Sequence, residues 1–239
     1  MSEDAYGQTL FLNLRIATGN MLKCFAMFTM LIDHIGVTMF PSYPILRYIG
    51  RLSFPIFIFL LKEGVKYSHD RFAYIKRLSA FALISQVPFS MAFYRTPFNF
   101  LHWNVFVTLA IGAFECLLLS LIRNQKKKGI TPFSALFIES LLFIFLIVFA
   151  ELIDADYGAI GILAIVTCFM LDVSGASPAI CFIATVFLLM ASNQVEAYAF
   201  AALPLILMYN GKRGIKIKAL DAAFYLFYPV HLLILGIIR

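Results

Sequence analysis

The chain has 239 residues, of which 62% are hydrophobic and only 13% are charged, and its formal net charge is +6. A soluble domain of this length carries roughly a quarter charged residues. The apolar residues form blocks of about 15–20 along the whole chain, close to the roughly 20 residues that a helix needs to cross a bilayer. Composition therefore excludes a water-soluble globular protein and predicts an all-α, polytopic membrane protein.

In chain order, we predict about nine transmembrane helices, at residues 20–40, 45–65, 74–93, 104–122, 133–151, 157–173, 178–193, 195–210 and 219–238. Residues 1–19 precede them as an N-terminal interfacial segment, in which Tyr6 to Ala17 could form a short helix. No stretch is long enough for a separate soluble domain. We therefore expect residues 1–239 to form a single transmembrane domain.

The connections between these spans differ in charge. Alternate connections carry clusters of basic residues: Lys66, Arg71, Lys76 and Arg77; Arg123, Lys126, Lys127 and Lys128; and Lys212, Arg213, Lys216 and Lys218. The intervening connections contain little basic charge beyond Arg47 and Arg95. Because basic loops stay in the cytoplasm, this alternation predicts the N-terminus inside and the C-terminus outside. The excess of basic residues is accounted for by cytoplasmic loops, so we expect no nucleic-acid partner.

Ionisable residues inside the spans are costly and are functional candidates by default. With the predicted orientation, Asp33, His34, Arg51 and His231 lie at one depth in three different spans, near the outer face. Each also has a structural interpretation, as a hydrogen-bonded histidine or a buried ion pair. Asp33 points about 100° away from His34 on a helical wheel. We therefore expect Asp33 to pair with Arg51 rather than to orient His34.

A second pair of intramembrane charges lies nearer the cytoplasm. Glu115 and Glu139 reach similar depths on the fourth and fifth predicted spans, which are neighbours in sequence and antiparallel. A structural pair, with one or both carboxyl groups protonated, and a functional role both remain open for them.

Lys23 and His34 are eleven residues apart, which is close to three helical turns. They therefore project from the same side of the first span, roughly 16 Å apart along its axis. This arrangement fits a ligand with anionic groups at the Lys23 end and a reacting centre at the His34 end. Histidine titrates near neutral pH and is the usual general base.

Other chemistries leave no strong signature in the sequence. The adjacent Asp33 and His34 have poor geometry for a single metal ion, so we expect no metal. We find no nucleophile elbow, phosphate loop or cysteine–histidine pair. A base without a protein nucleophile suggests that a substrate amine or hydroxyl attacks directly and that the histidine takes its proton.

Several segments resemble the TraX family of integral membrane proteins, in the same order along the chain. They are MLKCFAMFTMLIDHIG at 21–36, RYIGRLSFPIFIFLLKEG at 47–64, RLSAFALISQVPF at 77–89, NVFVTLAIG at 104–112, ADYGAIGIL at 155–163, MYNGKRG at 208–214 and FYLFYPVHLLIL at 224–235. The named member of that family is linked to N-terminal acetylation of a conjugative pilin, and the family looks like a compact relative of the transmembrane acyltransferases of the acyltransferase-three type.

The resemblance implies an enzyme of a bacterial cytoplasmic membrane that moves an acetyl group from cytoplasmic acetyl-CoA to an acceptor. The wider group carries an arginine, ten intervening residues and a histidine in its first span, with the histidine as base and the arginine at the CoA end. Here Lys23 takes the place of the arginine and His34 that of the histidine. Lysine offers a phosphate a charge but not a bidentate fork.

The expected roles of the other candidates follow from this resemblance. Lys76, Arg77, Lys212 and Arg213 join Lys23 as contacts for the CoA phosphates. Arg51 or His231 would stabilise the oxyanion or place the acceptor. Asn104 and Tyr228 would hydrogen-bond the acceptor, which is an amine or hydroxyl of a secreted peptide, a pilin N-terminus or an envelope glycan.

Two other classes of function stay open. In a small proton-coupled transporter, the intramembrane acidic residues and histidines would form a proton relay, which suits Glu115 and Glu139 better than acyl transfer does. A non-catalytic membrane chaperone for secreted peptides would bind no CoA and would not depend on His34.

Overall fold

The computed structural model describes residues 15–126 and 131–239. Apart from two isolated bridges, Ala17 to Tyr209 and Trp103 to Ala155, the regular structure in these residues is helical. The α-helices are α1 (Gly19–Thr38), α2 (Pro44–Gly50), α3 (Ser53–Tyr67), α4 (Arg71–Tyr94), α5 (Val105–Lys126), α6 (Pro132–Leu152), α7 (Gly158–Val173), α8 (Pro178–Met190), α9 (Leu203–Leu207) and α10 (Lys218–Ile238). A 3₁₀ helix, Gln194–Ala202, leads directly into α9.

The all-α class predicted from composition is confirmed, and each predicted span coincides with helical structure. In the described residues, five helical segments are long and apolar enough to cross a membrane: Gly19–Thr38, Pro44–Tyr67, Val105–Arg123, Pro132–Leu152 and Ala219–Ile238. Shorter apolar helical segments span Gly158–Val173, Pro178–Met190 and Gln194–Leu207. The chain is thus a helical membrane protein, while nine crossings and the orientation of the termini stay predictions.

Two predicted spans are not continuous α-helices. The span at 45–65 is interrupted by a turn at Arg51 and Leu52, so that α2 and α3 are separate helices. Pro55 lies in the first turn of α3, where its missing N–H has no intrahelical acceptor to lose. The span at 195–210 begins as the 3₁₀ helix and becomes α-helical only at Leu203.

Short polar side chains fix where several helices begin. Thr18 accepts a hydrogen bond from the backbone N–H of Met21 at the start of α1. The equivalent caps are Asp70 for α4, Thr131 for α6 and Ser177 for α8. Such caps satisfy backbone donors that have no partner within the helix.

The main apolar core lies between α3, α5 and α7, where Ile58, Ala113 and Ile165 are fully buried. A Cβ atom at Gly112 would clash with the Ile165 side chain, so glycine allows α5 and α7 to approach closely. In contrast, α6 exposes most of its large apolar side chains, as expected for a helix that faces lipid.

The connection between α9 and α10 is tied to the start of α1. The N–H groups of Gly19 and Asn20 donate to the carbonyls of Lys212 and Arg213, and the Asn20 side chain donates to the Ile215 carbonyl. These bonds hold the MYNGKRG segment beside the first turn of α1. The interfacial segment predicted at 1–19 lies mostly outside the described residues, as do residues 127–130 of the basic connection after α5.

Gly50 is a sensitive packing position because α2 rests against α1 there. A Cβ atom at Gly50 would overlap the carboxylate of Asp33. We expect Gly50→Ala to destabilise the protein by about 1–3 kcal/mol, the usual cost of overpacking. The measurement is thermal unfolding in detergent micelles.

The matched control is Gly19→Ala, where an added Cβ would lie 3.5 Å from its nearest neighbour, an ordinary contact. Equal melting temperatures for the two variants would contradict the close packing of Gly50 on Asp33.

Candidate functional site

A cavity of about 1190 Å³ runs between α1, α3, α4, α5 and α10. One end of its wall is basic and contains Lys23, Arg77 and Arg213; we call this the basic end. The wall continues along α1 to Asp33 and His34. The sequence prediction that Lys23 and His34 share one side of α1 is confirmed, because both line this cavity.

His34 and His231 form a hydrogen-bonded pair. Nδ1 of His34 lies 2.8 Å from Nε2 of His231, and Nδ1 of His231 lies 2.6 Å from the carbonyl oxygen of Phe227. A carbonyl oxygen only accepts, so Nδ1 of His231 carries a proton and its Nε2 accepts. Nδ1 of His34 must then be the donor.

This assignment leaves Nε2 of neutral His34 with a free lone pair. In the residues that the structure describes, Nε2 has no hydrogen-bond partner, and His34 lines the cavity. His231 is buried behind it and is not part of the cavity wall. His34 thus faces the cavity with an unprotonated nitrogen, and the hydrogen bond with His231 fixes its tautomer.

Aromatic side chains hold the His34 ring. Phe93 of α4 and Tyr228 of α10 meet it edge to face, at centroid distances of 5.3 and 6.1 Å. Tyr228 is 2% exposed but lines the cavity, so the structure brings this predicted acceptor contact to the His34 end.

Asp33 and Arg51 form the buried ion pair that the helical wheel predicted. Nη2 of Arg51 lies 2.8 Å from Oδ1 of Asp33, and the Arg47 guanidinium donates to the same carboxylate at 2.5 Å. Nη1 of Arg51 also donates to Glu196, whose side chain is 2% exposed, at 2.7 Å. Two carboxylates therefore neutralise Arg51 and fix its position.

Glu196 was not among the sequence candidates, although a signal for it was present. It is an acidic residue at the start of the predicted span 195–210, which places it near the same face as Asp33 and Arg51. An ionisable residue at the depth of a candidate site could have been assigned to that site.

The connection between α6 and α7 was likewise not assigned to the candidate site from the sequence. Asp154, Tyr157 and Gly158 all have positive φ, at 48°, 63° and 44°. Backbone bonds join this connection to Trp103, which donates to the Asp154 carbonyl and accepts from the Asp156 N–H. Asp156 and Tyr157 line the cavity. No sequence pattern predicts that this turn folds into the site.

The basic end contains only part of the predicted CoA-binding set. The half-buried Lys23 lies 5.0 Å from the centroid of the Phe224 ring, and Arg213 forms an ion pair with Asp221. Lys76 and Lys212 are exposed and lie outside the cavity wall.

Asn104 does not face the cavity either, although sequence placed it among the acceptor contacts. It is fully buried, and its amide donates to the Ala82 carbonyl and to Gln86 Oε1 at 2.8 and 2.9 Å. Its side-chain oxygen accepts from the N–H of Phe106. Asn104 thus joins α4 to the start of α5, and its bonding capacity is used there.

A separate ionic cluster lies on α3 and α7. Lys62 is 2% exposed and contacts Glu63 at 3.0 Å and Asp172 at 2.5 Å, and Lys66 contacts the other oxygen of Asp172 at 2.6 Å. The Tyr209 hydroxyl donates to Glu63 at 3.0 Å. Because Glu63 and Tyr209 line the cavity, this cluster supports its wall.

Glu115 and Glu139 face a second cavity, of about 170 Å³, between α5, α6 and α7. Their predicted position at similar depths on neighbouring helices agrees with this shared cavity. Glu115 is fully buried, and neither of its carboxylate oxygens has a hydrogen-bond partner in the described part of the chain. This pair is not part of the large cavity.

Residues 15–126 and 131–239 contain no cluster of three or more His, Cys, Asp or Glu side chains suited to a metal ion.

The cluster around Lys62 gives a stability prediction. Asp172→Asn should lower the melting temperature clearly, because removing one partner leaves Lys62 buried with less compensation. The double variant Lys62→Met, Asp172→Asn should recover part of the loss, since no buried ammonium remains. The control is Asp221→Asn, which breaks the exposed pair with Arg213 and should change stability little. A double variant less stable than Asp172→Asn would contradict this account.

Comparison with known proteins gives one result that covers nearly the whole chain. No curated protein and no solved structure matches it. The family model described as TraX protein matches residues 18–239. These residues include His34 and His231, the ion pair of Asp33 with Arg51 and the basic end of the cavity. The chain belongs to the TraX family.

Proposed function

We propose that this protein is an acetyl-CoA-dependent acetyltransferase of the bacterial cytoplasmic membrane. The observation that carries the proposal is the single cavity that joins a basic end to the free Nε2 of His34. Family membership supports it, because TraX proteins are associated with pilin acetylation.

The basic end suits the phosphates of acetyl-CoA. Lys23, Arg77 and Arg213 line it from three elements, α1, α4 and the connection before α10. A cofactor arm running along α1 from Lys23 would bring its thioester to His34, roughly 16 Å away along the helix axis. The apolar wall between them includes Met27 and Met30 of α1 and suits a largely uncharged arm.

The reaction would use His34 as general base. The acceptor's amine or hydroxyl attacks the thioester carbonyl carbon while Nε2 of His34 takes its proton. The carbonyl electrons return, the carbon–sulfur bond breaks, and the imidazolium protonates the departing CoA thiolate. His231 would stabilise the imidazolium by accepting from its Nδ1–H throughout.

The acceptor would enter at the opposite end of the cavity from Lys23. That end is lined by Tyr94, His102, Trp103 and Asp154. Aromatic and carboxylate side chains suit both an amine and a sugar hydroxyl. We therefore keep a secreted peptide, a pilin N-terminus and an envelope glycan as acceptor classes.

A proton-coupled transporter is the second candidate, and one observation favours it. Glu115 is buried without a hydrogen bond beside Glu139, and the acetyltransferase mechanism uses neither residue. Acetyl-CoA separates the two functions, because a ligand that binds the native state raises the melting temperature. A transporter unrelated to CoA would show no such shift.

His34 is the residue on which transfer should depend. His34→Ala should lower kcat by about 10²–10⁴, the usual contribution of a general base. The assay follows radiolabelled acetyl groups and CoA thiol release in liposomes, with folding checked by acetyl-CoA-induced thermal stabilisation. His231→Ala should lose less activity, and His231→Gln should recover part of it because its amide oxygen can accept from Nδ1 of His34. Full activity in His34→Ala would end the proposal.

Lys23 should contribute to the binding of acetyl-CoA rather than to the acetyl-transfer step. Lys23→Ala should raise the KM for acetyl-CoA about tenfold, equal to about 1.4 kcal/mol, with kcat little changed. Lys23→Arg should restore binding. The control is Lys76→Ala, which removes an exposed charge outside the cavity wall and should leave KM unchanged. Equal increases in KM for both alanine variants would contradict the placement of CoA in the cavity.

A further inference from the structure

Tyr157 has a backbone conformation that a bulky side chain rarely adopts. Its φ is 63° and its ψ is −9°, in the left-handed region, immediately before α7. Such a conformation is strained for a bulky side chain and persists where surrounding contacts enforce it, often at a functional site. A glycine or asparagine would take this position at lower cost. The strained backbone therefore indicates that the tyrosine side chain has a specific role at this position.

Packing holds the Tyr157 ring against the cavity wall. The ring stacks on Phe54 of α3, with centroids 3.7 Å apart and an interplanar angle of 18°. The turn beneath it is closed by the Gly158 N–H, which donates to the Ala155 carbonyl at 2.7 Å. Both rings line the cavity. The hydroxyl is therefore held in place before any ligand binds.

The hydroxyl is also left with a proton to donate. Nη1 of Arg51 donates to the Tyr157 oxygen at 3.1 Å, so the oxygen serves as an acceptor for a cation. In the described residues, no acceptor takes the phenolic proton. A donor that itself accepts a hydrogen bond from a cation is polarised and becomes a stronger donor.

Neutralising Arg51 does not require this hydroxyl. Asp33 and Glu196 already contact its guanidinium, at 2.8 and 2.7 Å. In addition, Nε of Arg51 is buried and has no partner among the described residues. The cavity wall thus includes a tyrosine whose hydroxyl proton has no acceptor among the described residues, next to the charged group of Arg51. Asp33, Arg51, Tyr157 and His34 all line the same cavity.

From this arrangement we propose that Tyr157 donates the hydrogen bond that stabilises the acyl oxygen during transfer, with Arg51 as the charge behind it. The assignment rests on the proposed acetyltransferase function. As the acceptor's nitrogen or oxygen bonds to the thioester carbon, the carbonyl π electrons move onto its oxygen. Tyr157 binds that oxyanion and keeps its own proton. The electrons then return, the carbon–sulfur bond breaks, and the thiolate leaves with the proton held by His34.

The test is Tyr157→Phe, which keeps the ring stacked on Phe54 and removes only the hydroxyl. We expect kcat to fall by about 10²–10³, as when one oxyanion donor is removed, with little change in the KM for acetyl-CoA. Release of the CoA thiol from acetyl-CoA is the assay, so transfer to any acceptor, water included, is detected. The matched control is Tyr198→Phe, because Tyr198 is exposed, stacks on Tyr48 and lies outside the cavity wall.

A second measurement separates hydrogen bonding from structure. Fluorotyrosines at position 157 make the hydroxyl a stronger donor without removing it. If Tyr157 stabilises the oxyanion, kcat should rise steadily as the phenol becomes more acidic. This series also decides the matter if Tyr157→Phe folds poorly. A structural role would lower the melting temperature and leave kcat independent of phenol acidity.

The outcomes distinguish this assignment from the function on which it rests. An active wild-type protein with an equally active Tyr157→Phe variant overturns the role of Tyr157 alone. A wild-type protein that acetyl-CoA does not stabilise, and that releases no CoA thiol from it, overturns the acetyltransferase function and this assignment together.

Discussion

The buried ion pair of Asp33 with Arg51 is the interaction on which the rest of the site depends. In an apolar interior an isolated charge is too costly to keep, so Asp33 and Arg51 stabilise each other there, together with their second partners Arg47 and Glu196. The pair fixes α2 and the start of α3 against α1. Arg51 then holds Glu196 and Tyr157, which come from two distant parts of the chain, and Tyr157 lines the cavity. The need to neutralise buried charge between α1 and the turn that joins α2 to α3 thus determines how the His34 end of the cavity is arranged.

His34 and His231 show how the tautomer of a buried imidazole can be fixed without a carboxylate. A backbone carbonyl, that of Phe227, determines the tautomer of His231, and His231 in turn determines that of His34. Each step follows from what a group can donate or accept. Asp33, adjacent in sequence, takes no part in this chain of hydrogen bonds because it faces Arg51 instead.

Sequence reasoning succeeded where a one-dimensional rule applies and stopped where tertiary contacts decide. Helical periodicity placed Lys23 and His34 on one face and separated Asp33 from His34. Hydropathy located the helices but could not show that a span breaks at Arg51 or begins as a 3₁₀ helix. The family resemblance and their positive charge placed Lys76 and Lys212 with the cofactor, whereas their exposure is set by how α4 and the last connection pack. Tyr157 has an ordinary side chain in the sequence, and only its backbone conformation reveals it.

The ion pair and the histidine pair differ greatly in sequence separation, which has a consequence for biogenesis. Asp33 and Arg51 are 18 residues apart, whereas His34 and His231 are 197 apart. As helices enter the bilayer from the N-terminus, the first hairpin can neutralise its own buried charges before the later helices are made. His34 can form its hydrogen bond with His231 only after the last helix, α10, has been made. The Asp33–Arg51 pair can therefore form early in synthesis, whereas the hydrogen bond between His34 and His231 forms only near its end.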